Sequence, residues 1–123
     1  MPAEEIVHLI DDDLAVRHSI ELLLQIAGID VRSYASAIEF LNNVDPTEIQ
    51  CLVIDVHMPG IDGVDLLDRL RIAGIIAPAI FISAIGNTAA LLAASARTGA
   101  SILLKPFKPG ELIERITKLL RDN

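Results

Sequence analysis

The sequence has few aromatic residues, a single cysteine and fewer basic than acidic residues. Aromatic side chains make up 3% of the 123 residues and hydrophobic residues 52%, so the core must consist mainly of Leu, Ile, Val and Ala. The single cysteine, Cys51, excludes an intramolecular disulfide and fits the reducing cytoplasm. The formal net charge of −7 disfavours binding of DNA or RNA, whose phosphate backbones select basic surfaces.

Long hydrophobic runs and a signal-peptide pattern are also missing. No apolar run approaches the roughly 20 residues of a transmembrane helix, and the acidic N-terminus lacks the basic-then-apolar pattern of a signal peptide. We therefore expect a cytoplasmic protein that does not bind membranes. A length of 123 residues fits one domain, with residues 1–123 sharing one core.

Short apolar segments alternate with longer segments of helical periodicity along the chain. Strands are predicted at Glu5–Ile10, Asp30–Tyr34, Cys51–Ile54, Ala79–Ser83 and Ser101–Leu104. Helices are predicted at Leu14–Ala27, Ser36–Val44, Val64–Arg71 and Asn87–Thr98, and from Pro109 to Leu120. This alternation predicts an α/β fold, a doubly wound parallel sheet of five strands with helices on both faces.

Polar residues stand at the ends of four predicted strands. They are Asp11, Asp12 and Asp13 after the first strand, Asp55 after the third, Ser83 at the end of the fourth and Lys105 after the fifth. In an open parallel sheet, ligands bind beyond the carboxyl ends of the strands. We therefore expect these side chains to converge at one edge, although Asp13 also fits the N-cap of the first helix.

Carboxylates held close together repel one another and stay ionised only beside a compensating cation. Mg²⁺ fits this role, because it is a hard ion that takes one or two carboxylates together with a phosphate oxygen. Mn²⁺ is the alternative. A metal, the Asp55 carboxylate, the Ser83 hydroxyl and the Lys105 ammonium are the components needed to move a phosphoryl group onto Asp55.

The segments IDDD, VIDVHMPGIDG, FISA and LLKPF, in this order, closely resemble the receiver domain of two-component response regulators. The resemblance extends from about Ile6 to Leu120. It implies a flavodoxin-like sheet of strand order 2-1-3-4-5. It also implies that Asp55 accepts a phosphoryl group from a phosphohistidine, carried by a sensor histidine kinase or a phosphotransfer protein. Such a domain is not a conventional enzyme, since it catalyses only its own phosphorylation and slow dephosphorylation.

The resemblance also assigns the metal ligands. It implies that Asp11, Asp12 and Asp55 hold the cation, and that His57 offers its backbone carbonyl to it. The His57 side chain is expected to face solvent rather than to take part in the chemistry.

The remaining site residues follow from the same resemblance. Ser83 stands where a hydroxyl bonds the phosphoryl group, and Lys105 where a lysine pairs with it. The peptide bond before Pro106 is usually cis in this family, and Gly63 matches the glycine before the third helix.

Two positions depart from the family pattern. Ile102 stands where an aromatic residue often changes rotamer on phosphorylation, and Ile85 is too apolar to orient a hydrolytic water. The alternative function is therefore a pseudo-receiver, an interaction module that phosphorylation does not control. Phosphorylation would otherwise switch partner binding through the fourth helix, fifth strand and fifth helix.

Two other classes of protein fit the sequence less well. A haloacid-dehalogenase-like phosphatase would carry a second Asp where His57 stands, and a nucleotide binder would carry a Gly-rich loop after the first strand. Adjacent leucines, Leu22 to Leu24 and Leu91 with Leu92, cannot all face the core. We expect a monomer or a weak homodimer through exposed helix faces.

Overall fold

The computed structural model describes residues 5–121, in which strands and helices alternate. The strands are β1 Ile6–Ile10, β2 Asp30–Tyr34, β3 Cys51–Asp55, β4 Ala79–Ser83 and β5 Ser101–Leu104. The helices are α1 Leu14–Ile26, α2 Ala37–Asn43, α3 Gly63–Ile72, α4 Ala89–Thr98 and α5 Pro109–Arg121. A short 3₁₀ helix at Pro46–Glu48 precedes β3 and was not predicted from the sequence.

All neighbouring strands pair in parallel, in the order β2-β1-β3-β4-β5. This confirms the predicted flavodoxin-like sheet. Every residue of β1, β3 and β4 is buried, which is why these strands are continuous apolar runs rather than alternating ones. After β2 is added on one side of β1, the later strands are added on the other side, beginning with β3. The carboxyl ends of β1 and β3 therefore lie side by side at the topological switch point of the sheet.

Apolar side chains pack on both faces of the sheet. On one face, the strands pack against α1 and α5 through buried residues that include Leu9, Leu24, Ile80, Leu112 and Ile116. On the other face, they pack against α2, α3 and α4 through residues that include Phe40, Ile54, Leu66, Phe81 and Leu91. No helix within residues 5–121 is long and apolar enough to cross a membrane.

Several element boundaries differ from prediction by one or two residues. Helix α4 begins after Thr88, whose hydroxyl accepts a hydrogen bond from the Leu91 amide, so Asn87 lies outside the helix. Helix α2 opens at Ser36, as predicted, and the Ser36 hydroxyl caps it by accepting a hydrogen bond from the Glu39 amide. Strand β3 runs one residue further than predicted, and Asp55 is therefore its last residue.

Adjacent leucines divide between core and surface as predicted. Leu91 is buried while Leu92 is 50% exposed, and Leu24 is buried while Leu22 is 59% exposed. The homodimer expected from these exposed faces stays a prediction.

A buried polar pair links β1 and β2 beneath α2. The Nδ1 atom of His8 lies 3.0 Å from the Tyr34 hydroxyl, and Nε2 lies 3.3 Å from the Glu48 carbonyl oxygen. Because a carbonyl oxygen only accepts, Nε2 donates and Nδ1 accepts from the hydroxyl. Burial lowers the pKa of His8, which fits this neutral tautomer.

Candidate functional site

Three carboxylates meet beyond the carboxyl ends of β1 and β3. One oxygen from each of Asp11, Asp12 and Asp55 lies within 4.8 Å of the others. Asp11 is completely buried and Asp55 is 7% exposed, whereas Asp12 is exposed to solvent. The parallel pairing of β1 with β3 produces this cluster, because it brings the ends of the two strands to the same edge.

Asp11 is held firmly, yet one of its oxygens has no hydrogen-bond partner. Its amide donates to the Tyr34 carbonyl at 3.1 Å, and its Oδ1 accepts from the Asp13 amide at 2.9 Å. Its Oδ2 is buried and unpartnered, at 3.7 Å from the Lys105 Nζ. Since a buried anionic oxygen without a partner is costly, this atom is suited to a cation.

The cluster carries more negative charge than the protein compensates. Burial raises the pKa of Asp55 to about 6, and the charge of Asp11 adds to the rise, while Lys105 opposes it. Burial also raises the pKa of Asp11, against the effects of the Asp13 amide and Lys105. A hard divalent cation among these oxygens would relieve both penalties, and this donor set suits one.

Ser83 and Lys105 complete the same edge from β4 and β5. The Lys105 amide donates to the Ser83 carbonyl at 2.8 Å, which aligns the ends of the two strands. The Ser83 side chain is completely buried, and its Oγ accepts from the Ile85 amide at 3.2 Å. The Lys105–Pro106 peptide is cis, as expected. The structure therefore brings Asp11, Asp12, Asp55, Ser83 and Lys105 to one edge.

Comparison with known proteins agrees with this geometry. A family model described as the response regulator receiver domain matches residues 7–117. This chain belongs to that family. Its members are phosphoacceptor signalling modules.

Several relatives resemble this receiver domain over nearly its whole length. Transcriptional regulatory protein FixJ of Azorhizobium caulinodans is 37% identical over 116 residues, which are 94% of this chain and 55% of FixJ. Response regulator protein TodT of Pseudomonas putida is 33% identical over 116 residues, which are 94% of this chain and 51% of TodT. The chain spans about half the length of these curated relatives.

Solved structures give the same result. Response regulator StyR has a TM-score of 0.85 and 34% identity, and the match covers 98% of this chain and 61% of that one. The receiver domain of the Francisella response regulator 1452 has a TM-score of 0.85 and 30% identity, and covers 97% of this chain and 98% of that one.

Gly63 fixes the distance between α3 and the end of β3 in the receiver domain. Its amide donates to the Val56 carbonyl at 3.0 Å. A Cβ at this position would lie 2.3 Å from the Asp55 carbonyl oxygen and 2.8 Å from Cγ2 of Ile54. Only glycine permits this approach, which places α3 directly against the backbone of Asp55.

His57 lies beside the carboxylates without contributing its side chain to the cluster. The ring is exposed, and the backbone amide lies 3.4 Å from Asp55 Oδ1. The solvent-facing interpretation of the ring is confirmed, while the role of its carbonyl toward a metal stays a prediction.

Ile102 occupies the position at which receiver domains often carry an aromatic residue. Its side chain is half-buried and packs against the layer formed by α2, α3 and α4. Its carbonyl accepts a hydrogen bond of 2.6 Å from Arg115 on α5. The position is therefore occupied by a packed aliphatic side chain.

An apolar groove adjoins the site between α1 and the segment that follows β5. It has a volume of about 670 Å³, and its walls include Val16, Ile20, Leu23 and Phe107, with Lys105 at the end nearest the carboxylates. Sequence reasoning did not find this groove, because its two walls are about 90 residues apart in the chain.

Sequence reasoning also missed a cationic side chain that bonds the backbone of the β1–α1 turn. Arg17 of α1 donates from Nη1 to the Asp11 carbonyl oxygen at 2.7 Å. The only indication of this contact in the sequence was the position of Arg17 in the first turn of α1, four residues after the N-cap Asp13.

Proposed function

We propose that this receiver domain accepts a phosphoryl group on Asp55 from the phosphohistidine of a sensor histidine kinase or a phosphotransfer protein in the cytoplasm. The observation that carries the proposal is the carboxylate cluster, with the buried, unpartnered Oδ2 of Asp11 facing it. No described residue donates a hydrogen bond to that oxygen, the Lys105 Nζ stays 3.7 Å away, and a bound cation would satisfy it.

Asp11, Asp12 and Asp55, with the backbone carbonyl of His57, would hold Mg²⁺, or Mn²⁺ in its place. When bound, the metal neutralises negative charge on the carboxylates and on the incoming phosphoryl oxygens. The residues fit this group, because they supply only oxygen ligands and one of those oxygens is unpartnered.

Asp55 acts as the nucleophile. One carboxylate oxygen attacks phosphorus and forms the new O–P bond, while the N–P bond to the donor imidazole breaks and its electron pair stays with the imidazole. Without metal, a pKa of about 6 already leaves Asp55 mostly ionised at neutral pH, and a bound cation would lower that pKa further, so the carboxylate would be available as the nucleophile.

Lys105 and Ser83 receive the transferred group. The Lys105 ammonium neutralises a phosphoryl oxygen, and the Ser83 hydroxyl donates to another. Ser83 Oγ now accepts from the Ile85 amide, so a turn of the hydroxyl toward Asp55 weakens that contact. With Ile102 in place of an aromatic ring, the change in surface would pass through the backbone between β4 and α4.

The apolar groove beside Lys105 is suited to the phosphodonor. A donor imidazole reaches Asp55 only if its carrier packs next to the carboxylates, and the groove provides apolar surface at that place. The expected contact is an apolar helix face that carries the phosphohistidine at its edge.

The first test incubates the protein with Mg²⁺ and a small acyl phosphate, or with beryllofluoride as the phosphoryl mimic, and Asp55→Asn serves as the control. We expect the mass of one phosphoryl group on the wild type, no adduct on the variant, and no adduct in EDTA. Amide NMR with beryllofluoride should show shifts at Ser83 and Ile85.

One observation favours a second function. The packed aliphatic Ile102 lacks the usual aromatic readout, which would suit a pseudo-receiver that binds its partner constitutively. If no metal-dependent adduct forms on Asp55 under conditions that modify another receiver domain, the pseudo-receiver function would replace the first proposal.

A further inference from the structure

The β1–α1 turn, which carries two of the three carboxylates, is closed by a side chain to which the proposed chemistry gives no task. Arg17 is half-buried in the first turn of α1. Its own amide donates to the Asp13 carbonyl as part of the helix, while its guanidinium turns back and donates to the Asp11 carbonyl oxygen at 2.7 Å. A charged donor at this distance makes a strong hydrogen bond.

The acceptor of this bond determines its effect. The Asp11 carbonyl belongs to the peptide unit that joins Asp11 to Asp12, so an anchor on it restricts ψ of Asp11 and φ of Asp12. These two torsions set the direction in which the Asp12 side chain leaves the turn.

Asp12 is the member of the cluster that most needs such an anchor. Asp11 is fixed through its amide and Oδ1, and Asp55 is fixed by strand β3. Asp12 is exposed, no hydrogen bond to its side chain is recorded among the described residues, and it is repelled by the two other carboxylates. The peptide anchor opposes that repulsion.

We propose that Arg17 is a positioning residue, which holds the Asp11–Asp12 peptide unit so that Asp12 stays within the cluster before the divalent cation arrives. Arg17 thereby raises the affinity of the receiver domain for that cation. This inference rests on the proposed metal-dependent function, but it concerns metal binding and can be measured without any phosphodonor.

The test compares Mg²⁺ binding by Arg17→Ala, Arg17→Gln and Arg17→Lys with that of the wild type, by amide NMR titration. Loss of a supporting hydrogen bond around a metal site typically weakens affinity by 10- to 100-fold, and we expect roughly tenfold for Arg17→Ala. Arg17→Lys should recover part of the loss, because it retains charge and a donor. Arg17→Gln retains a hydrogen-bond donor but no charge, so it separates the contribution of the hydrogen bond from that of the charge.

Arg32→Ala is the matched control, since it also removes one positive charge but lies on β2, where it pairs with Glu48. Its Mg²⁺ affinity should stay within about twofold of the wild type, far from the change typical of lost metal-site support. In metal-free protein, the amide shifts of Asp12 and Asp13 should move in Arg17→Ala and stay unchanged in Arg32→Ala.

The kinetic readout separates positioning from a general loss of fold. With a small acyl phosphate, Arg17→Ala should need more Mg²⁺ for half-maximal phosphorylation but reach nearly the wild-type rate at saturating Mg²⁺. Equal Mg²⁺ affinity in Arg17→Ala and Arg32→Ala would overturn the inference. So would a phosphorylation rate that stays low at saturating Mg²⁺ while the Mg²⁺ concentration for half-maximal phosphorylation is unchanged. If Arg17→Ala fails to fold, the Gln and Lys variants decide by the same comparison. A wild type that binds no Mg²⁺ would instead refute the proposed function, and this inference with it.

Discussion

Replacing Gly63 by alanine tests whether close approach of α3 to β3 positions Asp55. An added Cβ would lie 2.3 Å from the Asp55 carbonyl oxygen and 3.0 Å from its carbonyl carbon. Both are backbone atoms of a buried central strand, so a side chain cannot simply rotate away. The N-terminus of α3 must move, and the hydrogen bond from the Gly63 amide to Val56 is strained with it.

The magnitude follows from two opposing effects. Overpacking of a close contact typically costs about 1–3 kcal/mol, whereas alanine gains about 0.5–1 kcal/mol over glycine inside a helix. Because Gly63 is the first residue of α3, the gain is at the lower end. We expect Gly63→Ala to lower the free energy of unfolding by about 2 kcal/mol and to slow phosphorylation of Asp55.

The assay is urea unfolding followed by far-UV circular dichroism, with Gly110→Ala as the control. Gly110 also lies in the first turn of a helix, but a Cβ there meets no atom within 4 Å. That variant should be neutral or slightly more stable. Equal unfolding midpoints for the two variants would refute the reasoning, since the contact with Asp55 would then cost nothing.

Three further predictions concern buried or half-buried polar groups. Burial raises the pKa of Asp55 from its ordinary 3.8 to about 6, so the folded chain binds this proton more tightly than the unfolded chain does. In EDTA, Asp55→Asn should therefore raise the free energy of unfolding by up to about 3 kcal/mol at pH 8. The gain should shrink as the pH falls through about 6 and vanish below about pH 4, and a constant gain would contradict it. Burial lowers the pKa of His8 below 6.5, so its contribution to stability is complete above pH 6.5 and is lost as the pH falls. In an Asp55→Asn background, His8→Phe should make urea midpoints fall less steeply between pH 7 and pH 5, and an unchanged slope would exclude His8 as the cause. Arg71 donates to the carbonyl oxygens of residues 75, 77 and 98 at 2.8 to 3.0 Å, so Arg71→Ala should cost about 3 kcal/mol in thermal or urea unfolding. Arg97→Ala removes only an exposed ion pair with residue 68 and should cost much less; similar costs for both arginines would be evidence against this explanation.

The order of elements could be predicted because local signals agreed with the fold. Strands β1, β3 and β4 are buried on both faces, so their sequences are continuous apolar runs that differ clearly from the helices. The exact first residue of a helix was harder to predict, because two neighbouring residues can both be of a type that caps helices. Thr88 caps α4 although Asn87 is an equally good capping residue.

The members of the carboxylate cluster were predictable for a topological reason. Parallel strands direct their carboxyl ends to one edge, so residues after each strand meet whatever their separation in sequence. Asp11, Asp55 and Lys105 were found in this way. Distances, burial and the unpartnered oxygen of Asp11 required the packed structure.

The sequence by itself therefore determined the fold class, the strand ends and the chemical types gathered there, since these depend on hydrophobic patterning and residue identity. Only the tertiary structure decided which atoms make hydrogen bonds and close contacts, and with which partners. The bond from Arg17 to the Asp11 carbonyl, the approach of Gly63 to Asp55 and the pairing of His8 with Tyr34 all join backbone or side-chain atoms across elements. Such contacts depend on how strands, helices and turns are placed relative to one another to within an ångström, which no periodicity in the sequence records.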